Sequence, residues 1–207
     1  MKKINYIKLA ILPLTFVGTV LLITSCGIFN DTEDTKSSAE KRNEKNFENK
    51  NKSENSDQIN DAQFLVNAAE INLEEIQLGK IAQRKGNTMH VKELGKMMED
   101  EHTKSQVELV ALAERKNIAI PISLTQKGKD AYKKLNDKPE DDFDKAYADL
   151  MVKGHKNAIS MYEKASEDSY DADIKDWANG KLPQLQTHLN HSIDCQKKCE
   201  NKNPNIK

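Results

Sequence analysis

The sequence is poor in aromatic residues and lacks several familiar functional motifs. Only 5% of its 207 residues are aromatic, and it has 8 glycines, 5 prolines and 3 cysteines. No segment shows the alternation of apolar and polar residues that is typical of strands. It contains no glycine-rich phosphate loop, nucleophile elbow or Ser-His-Asp pattern. The common signatures of nucleotide-binding sites and serine hydrolases are therefore excluded.

The chain also lacks an excess of charge of either sign. Its 32 Lys and Arg residues nearly balance 33 Asp and Glu residues, and the formal net charge is -1. These charges are interleaved and form no basic stripe of the kind that neutralises nucleic-acid phosphates. We therefore expect no nucleic-acid partner. The length is that of one ordinary domain with appendages.

The N-terminus carries a segment typical of protein export. Lys2, Lys3 and Lys8 accompany an apolar run at residues 9–23. This run is shorter than the roughly 20 residues that a transmembrane helix needs. The arrangement predicts a signal peptide over residues 1–25. An ordinary secretory signal followed by a chance cysteine is the alternative.

The export segment ends in the residues LITSC, at positions 22–26, and resembles a bacterial lipoprotein signal. The resemblance implies that Cys26 is lipidated, becomes the first mature residue and attaches the protein to a membrane. We therefore expect a location in the cell envelope, facing the periplasm or the cell surface. Gly27 after the cysteine, by resemblance to enterobacterial sorting, favours the outer membrane.

Residues 26–58 are rich in Asn, Lys, Glu and Ser and almost free of aliphatic side chains. Such a segment buries too little apolar surface to offset the entropy of ordering it. We predict a disordered tether here and a disordered tail at residues 201–207.

From Ile59 onward, apolar residues recur with helical spacing. The pattern predicts long helices at about 59–85, 88–116, 140–166 and 172–199, and a short helix at 124–136 in the connection. Pro183 predicts a kink in the last helix. Two hairpins joined by a long crossover are the ferritin-like connection. The sequence therefore predicts an all-α, ferritin-like four-helix bundle over residues 59–200.

Each predicted long helix has a potential metal ligand at the centre of its apolar face. These residues are Glu75, His102, His155 and His188. At 1.5 Å per residue they lie at similar depths, with mismatches of about 5 Å, so we expect them to converge. Glu99 precedes His102 by three residues, the spacing by which one helix supplies two ligands in di-metal bundles. We expect Glu99 to be an accessory ligand or to support one.

Three imidazoles and one or two carboxylates suit Zn, Fe, Cu or Mn. These residues therefore predict a transition-metal centre that serves metal handling or envelope stress defence. A buried carboxylate without a partner costs several kcal/mol. The alternative is thus a metal-free Glu/His network in a non-enzymatic structural or interaction protein. Oxidative chemistry at the metal is a third hypothesis.

The last predicted helix carries a second group of metal-binding side chains. His191, Cys195 and Cys199 follow His188 at spacings of three, four and four. Thiolate with imidazole favours Cu(I) or Zn(II), which predicts a second, soft-metal cluster. A disulfide between the two cysteines, or simple burial of both, are the alternatives. His90, at a polar helix start, is expected to be solvated.

Four sequence blocks resemble, in order, the bacterial family called domain of unknown function 4142, which is grouped with the ferritin-like superfamily. The blocks are EIQLG at 75–79, HVKELGKMMEDEHTKS at 90–105, FDKAYADLMVKGHKNAI at 143–159 and LPQLQTHL at 182–189. The resemblance covers about residues 64–193. It implies an exported ferritin-like bundle and no particular activity.

The candidate ligands depart from those of di-iron ferritin-like proteins. Those proteins supply a Glu from each of two helices and a Glu-x-x-His from each of the other two. Here His155 stands where the third helix would offer its Glu, and Leu185 lies three residues before His188. Since carboxylates are too few to neutralise two irons, we expect a single metal or an altered centre rather than an iron-storage site.

Overall fold

The computed structural model of the protein describes residues 34–48 and 52–201. This part of the chain contains six helices and no strand, so the all-α prediction is confirmed. The predicted signal peptide, Cys26, the start of the predicted tether and the tail from residue 202 lie outside it. No helix in this part is long and apolar enough to cross a membrane. The helices are α1 Thr35–Phe47, α2 Lys52–Lys85, α3 Met89–Lys116, α4 Gln126–Asn136, α5 Glu140–Asp168 and α6 Ala172–Asn201.

Four of these helices form a bundle of two hairpins. Helices α2 and α3 make one hairpin, and α5 and α6 make the other, while α2 also packs on α5 and α3 on α6. The backbone N–H of Asn87, in the α2–α3 turn, donates to Asp144 Oδ1 on α5 at 2.8 Å. Helix α5 therefore begins at that turn, and residues 117–139 run the length of the bundle to reach it. This is the predicted crossover, and α4 within it packs on α2.

Helix α1 lies where the sequence predicts a tether, so that prediction is wrong for residues 35–47. Ala39, Asn43 and Phe47 are buried and spaced four residues apart. The Asn43 amide donates to the Ala119 carbonyl at 2.8 Å and accepts from the Ala119 N–H at 2.7 Å. A contact face of one Phe, one Ala and one Asn is too small to produce an apolar periodicity.

The first bundle helix is also longer than the sequence predicts. It begins at Lys52, whereas the prediction places its start at Ile59. Asp61, near this end of the helix, accepts the backbone N–H groups of Tyr170 at 3.1 Å and Asp171 at 2.7 Å. Asp61 thus holds the α5–α6 turn against the start of the bundle.

The bundle core consists of two apolar clusters with a polar layer between them. One cluster takes residues 62–69 of α2, 109–113 of α3, 158–165 of α5 and 174–185 of α6. The other takes residues 78–82, 91–98, 143–151 and 195–199 of the same helices. The layer between them contains buried His102, His155 and His188. The fold therefore places all three imidazoles midway along the bundle.

Helices α2 and α3 approach closely at two glycines. A Cβ atom on Gly79 would lie 2.5 Å from the Gly95 carbonyl oxygen and 2.9 Å from the Glu99 backbone nitrogen. Real side chains do not tolerate such distances to backbone atoms. The close approach fixes how α3, and with it His102, sits against α2.

We expect Gly79→Ala to lower the free energy of unfolding by about 1–3 kcal/mol, because the added methyl pushes two packed backbones apart. This loss outweighs the gain of up to about 1 kcal/mol that Ala brings to a helix interior. Gly180→Ala in α6 is the matched control, since a Cβ there meets nothing within 4 Å. It should stabilise the protein by up to about 1 kcal/mol. Urea unfolding followed by circular dichroism measures both, and a stabilising Gly79→Ala would contradict the close approach.

Candidate metal centre

His102 presents one unpartnered ring nitrogen to the polar layer. Its Nδ1 lies 2.9 Å from Asn72 Oδ1. The Asn72 amide nitrogen is 3.4 Å from Ser105 Oγ and 3.3 Å from Gln106 Oε1, and it donates toward these oxygens. Asn72 Oδ1 is therefore an acceptor, and His102 Nδ1 carries the ring proton. His102 Nε2 keeps a lone pair and has no hydrogen-bond partner among the described residues.

His155 is oriented in the same way by its own helix. Its Nδ1 lies 2.9 Å from the Met151 carbonyl oxygen, so this nitrogen carries the proton and donates it. The lone pair of Nε2 then faces His188 Nδ1 at 3.3 Å. Hydrogen bonds of this kind fix the tautomer and ring direction of histidines that bind metals.

The three rings form a nearly regular triangle. Their centroids are 5.7 Å apart for His102 and His155, 5.2 Å for His102 and His188, and 5.3 Å for His155 and His188. One nitrogen from each ring lies within 4.8 Å of the other two. Two nitrogens bound to Zn²⁺ at 2.0–2.1 Å in a tetrahedron are about 3.3 Å apart. The nitrogens of His155 and His188 already have that separation.

Burial keeps these imidazoles neutral. Desolvation, followed by repulsion from the other two rings, holds the pKa of His102 well below its usual range. Desolvation also lowers the pKa of His155 and, together with the nearby His155, lowers that of His188 to about 4. Neutral imidazole is the form that binds metals. At neutral pH a cation therefore has to displace only the proton that His188 Nδ1 donates to His155 Nε2, and the His188 ring can carry a proton on Nε2 instead.

Glu75 is buried but lies outside this group of three, which corrects the predicted convergence of four ligands. It points to α5, where a Cβ on Gly154 would be 3.2 Å from Glu75 Oε1. Its Oε2 has no hydrogen-bond partner among the described residues. Burial, and then the neighbouring Glu74, raises its pKa well above the ordinary value. The side chain therefore favours the neutral acid.

Asn72, which the sequence analysis does not single out, is the α2 residue that meets His102. It is 1% exposed and lies one helical turn before Glu75. The depth estimate from the sequence has a mismatch of about 5 Å, which is one turn of helix. The signal that could have found Asn72 is its place four residues after Ala68, on the same apolar face.

Like Glu75, Tyr147 has a buried polar atom without a hydrogen-bond partner among the described residues. It is fully buried, and its hydroxyl has no hydrogen-bond partner in the described part of the chain. Burial, with a smaller contribution from Glu75, raises its pKa well above the ordinary value. The Tyr147 hydroxyl is therefore a neutral donor.

Glu99 faces α2 near the surface, so the structure does not bring it to the imidazoles as predicted. Its Oε2 accepts from Gln83 Nε2 at 2.6 Å, and Lys80 Nζ is 3.9 Å from Oε1. Residues three apart on a helix differ by about 60° in direction. That rotation turns Glu99 toward the α2–α3 groove while His102 points into the core.

The second predicted cluster has a different histidine. His191 is exposed, whereas half-buried His90 at the start of α3 takes its place beside Cys195 and Cys199. His90 Nε2 is 3.8 Å from Cys199 Sγ. His90, which is expected to be solvated, is therefore only partly so and also contacts a thiol. His191 and Cys199 are about 80° apart around α6, which leaves His191 in water.

The two cysteines are free thiols, and both are buried. A hydrogen bond from the Cys195 thiol, with a smaller contribution from the neighbouring His90, lowers the pKa of Cys199. The same shared proton raises the pKa of Cys195. Cys199 is therefore the more acidic of the two thiols.

The space beside the three imidazoles is small. A cavity of about 10 Å³ is lined by His102 and His188, with Asn72, Ser105 and Tyr162 among its other walls. A larger cavity of about 420 Å³ lies between residues 60–67 of α2 and 161–169 of α5 and touches none of the histidines. A cavity of this size has room for about one water molecule and is too small for an organic substrate.

Comparison with known proteins identifies the family but no close relative. No curated protein and no solved structure matches the chain significantly. The family model described as "Domain of unknown function (DUF4142)" matches residues 46–194. This range covers α2, α3 and α5 completely and α6 as far as residue 194, and it includes His102, His155 and His188. The chain therefore belongs to the DUF4142 family, as its four sequence blocks predict.

Proposed function

We propose that this protein binds one transition-metal ion through His102, His155 and His188 and serves metal handling in the cell envelope. The main observation that supports the proposal is that His102 Nε2, in a triangle of neutral imidazoles, is buried and has no hydrogen-bond partner among the described residues. In a metal-free network, this buried nitrogen would cost roughly 1–3 kcal/mol. An ion at the centre of the triangle satisfies it together with the facing nitrogens of His155 and His188.

The ligand set favours Zn(II) or copper over iron and manganese. Three imidazoles suit Zn and Cu, whereas Mn and ferritin-type iron centres rely on carboxylates, and Glu75 and Glu99 lie outside the group. A three-histidine zinc site completes its tetrahedron with one water molecule. The cavity of about 10 Å³ beside the rings has room for that water.

The small cavity also favours metal binding over catalysis on an organic substrate. A catalytic metal needs an open position that its substrate can reach. The cavity that His102 and His188 line leaves about 10 Å³. Storage, transfer or buffering of the ion requires no larger space. The export segment and Cys26 support a membrane-attached location, which is part of the proposal.

Titration of the chelator-stripped full chain with Zn(II) tests this function. We expect the unaltered protein to bind one equivalent tightly. His102→Ala and His155→Ala should each weaken this binding by at least about 100-fold, because replacing even a residue that only orients a ligand can lower metal affinity by up to about 100-fold. Zn(II) at 100 times its Kd should add about 2.7 kcal/mol to the free energy of unfolding.

The controls are His191→Ala and Glu99→Gln, whose side chains point away from the triangle and should leave binding unchanged. If Zn, Cu, Fe and Mn all fail to bind or to raise the melting temperature, the polar layer is a metal-free network. The protein would then be a structural or interaction bundle.

A further inference from the structure

His90, Cys195 and Cys199 form a group of soft ligands at the end of the bundle opposite to the α5–α6 turn. Their ligand atoms all lie within 4.8 Å of one another. His90 comes from the first turn of α3, and the cysteines come from successive turns near the end of α6. Cys195 and Cys199 belong to the apolar cluster around Phe143, whereas the imidazole triangle lies in the polar layer beyond that cluster. It is therefore a separate site, contributed by both hairpins.

We propose that this group is a second metal site, which binds Cu(I) through His90 Nε2 and the sulfurs of Cys195 and Cys199. Two thiolates with one imidazole are a soft set that selects Cu(I) or Zn(II) and disfavours Mg²⁺ and Ca²⁺. Atoms that share an ion at 2.0–2.3 Å lie within about 4.6 Å of one another. Small side-chain rotations therefore close the present gaps.

The number of ligands favours Cu(I) over Zn(II). Closed zinc sites take four protein ligands, and the group contains three among the described residues. The carboxylate of Asp144, which raises the pKa of both cysteines electrostatically, is already engaged. It accepts the Asn87 N–H at 2.8 Å and the Thr88 hydroxyl at 2.7 Å. Three ligands suffice for Cu(I), which is stable in trigonal sites.

The surroundings orient His90 and provide a route for the ion. Because the Thr88 hydroxyl donates to Asp144, its oxygen accepts from His90 Nε2 at 3.2 Å. His90 is half-buried, so its ring reaches both solvent and the buried sulfurs. Burial of both cysteines then shields the bound ion from water and oxidants.

Binding exchanges protons for the ion without any change of oxidation state. Cu(I) replaces the proton on His90 Nε2, and the ring takes a proton at Nδ1 from solvent. The Cys195 thiol releases its proton to solvent. Cys199 binds in the same way, and any proton on its sulfur also leaves to solvent.

The test is an anaerobic titration with Cu(I), buffered by a chromophoric chelator, on the full chain carrying Cys26→Ser so that only two thiols remain. The readout is the ultraviolet Cu(I)–thiolate charge-transfer band, which the imidazole triangle cannot produce. We expect one equivalent to develop the band. His90→Ala should weaken binding at least about tenfold, and Cys195→Ser or Cys199→Ser should abolish the band.

Two matched variants make the result specific. His191→Ala, on the exposed side of the same helix, and His102→Ala, in the other site, should leave the band and the affinity unchanged. The proposal fails if no band develops, if His191→Ala weakens binding as much as His90→Ala, or if equal free Zn(II) displaces the copper. Since His102→Ala removes only the triangle, failure of one site is distinguishable from failure of the other. Circular dichroism confirms that each variant folds.

Discussion

Lowering the pH from 7.5 to 5 is expected to reduce the free energy of unfolding of the metal-free protein by about 2 kcal/mol through His188 alone. Burial lowers the pKa of His188 to about 4, whereas the unfolded chain has the ordinary value of 6.5. Below pH 6.5 His188 therefore becomes protonated in the unfolded chain but stays neutral in the folded protein. Stability is full above pH 6.5 and falls until the pH reaches about 4. His102 and His155, whose pKa values are also lowered, act in the same direction.

Urea unfolding of chelator-treated protein at several pH values measures this loss. The free energy of unfolding of His188→Gln should depend less on pH than that of the unaltered protein. Between pH 7.5 and 5 its loss should be smaller by about 2 kcal/mol. His191→Gln, on the exposed face of α6, should keep the original slope. The raised pKa of Glu75 makes its own contribution to stability increase as the pH falls, opposite to the histidines. The test is therefore the difference in pH dependence between His188→Gln and the unaltered protein. Equal slopes for His188→Gln and the unaltered protein would mean that His188 is solvated.

Replacing Glu75 with Gln is expected to stabilise the metal-free protein at pH 8 by about 2–3 kcal/mol, because the folded protein must either keep the buried acid protonated far above its ordinary pKa or bury its charge without a partner. Burial raises the pKa of Glu75, so the folded protein holds this proton more tightly than the unfolded chain does. The cost is absent below the ordinary pKa of 4.5 and grows as the pH rises toward the folded value. At pH 4 the variant should therefore match the unaltered protein.

The matched control is Glu163→Gln on the exposed side of α5, which should change stability by less than about 0.5 kcal/mol at either pH. Destabilisation by Glu75→Gln at pH 8 would show that the carboxylate is charged and paired. Zn(II) titration of Glu75→Gln also tests whether Glu75 is a metal ligand. If the affinity falls more than about tenfold, Glu75 is a ligand after all, and the centre has four protein donors.

The sequence predicts the long helices because each one is bounded by a local signal. Gly86 and Asn87 mark the first turn, and Pro139 precedes the acidic first turn of α5. The structure ends α2 at Lys85 and begins α5 at Glu140, as predicted. The direction of His102, His155 and His188 follows in the same way, because apolar neighbours at helical spacing define which side is buried.

Position along the helix axis is less well determined by such patterns. Periodicity reports rotation about the axis, but depth comes from counting residues from uncertain turns, with an error near one 5.4 Å turn. This error put Glu75 in the layer that Asn72 occupies. Contacts between distant helix ends leave no local signal at all. His90 and Cys199 are 109 residues apart, and only the folded hairpins bring them together.

The polar layer lies where the two hairpins of the bundle meet. His102 belongs to the α2–α3 hairpin, and His155 and His188 belong to the α5–α6 hairpin. An ion shared by the three would act as a cross-link across the seam between the halves, so that separating them would require its release. Amide hydrogen exchange in the middle of the bundle would then report metal occupancy. The lifetime of the bound ion would be set by the rate at which the two halves come apart.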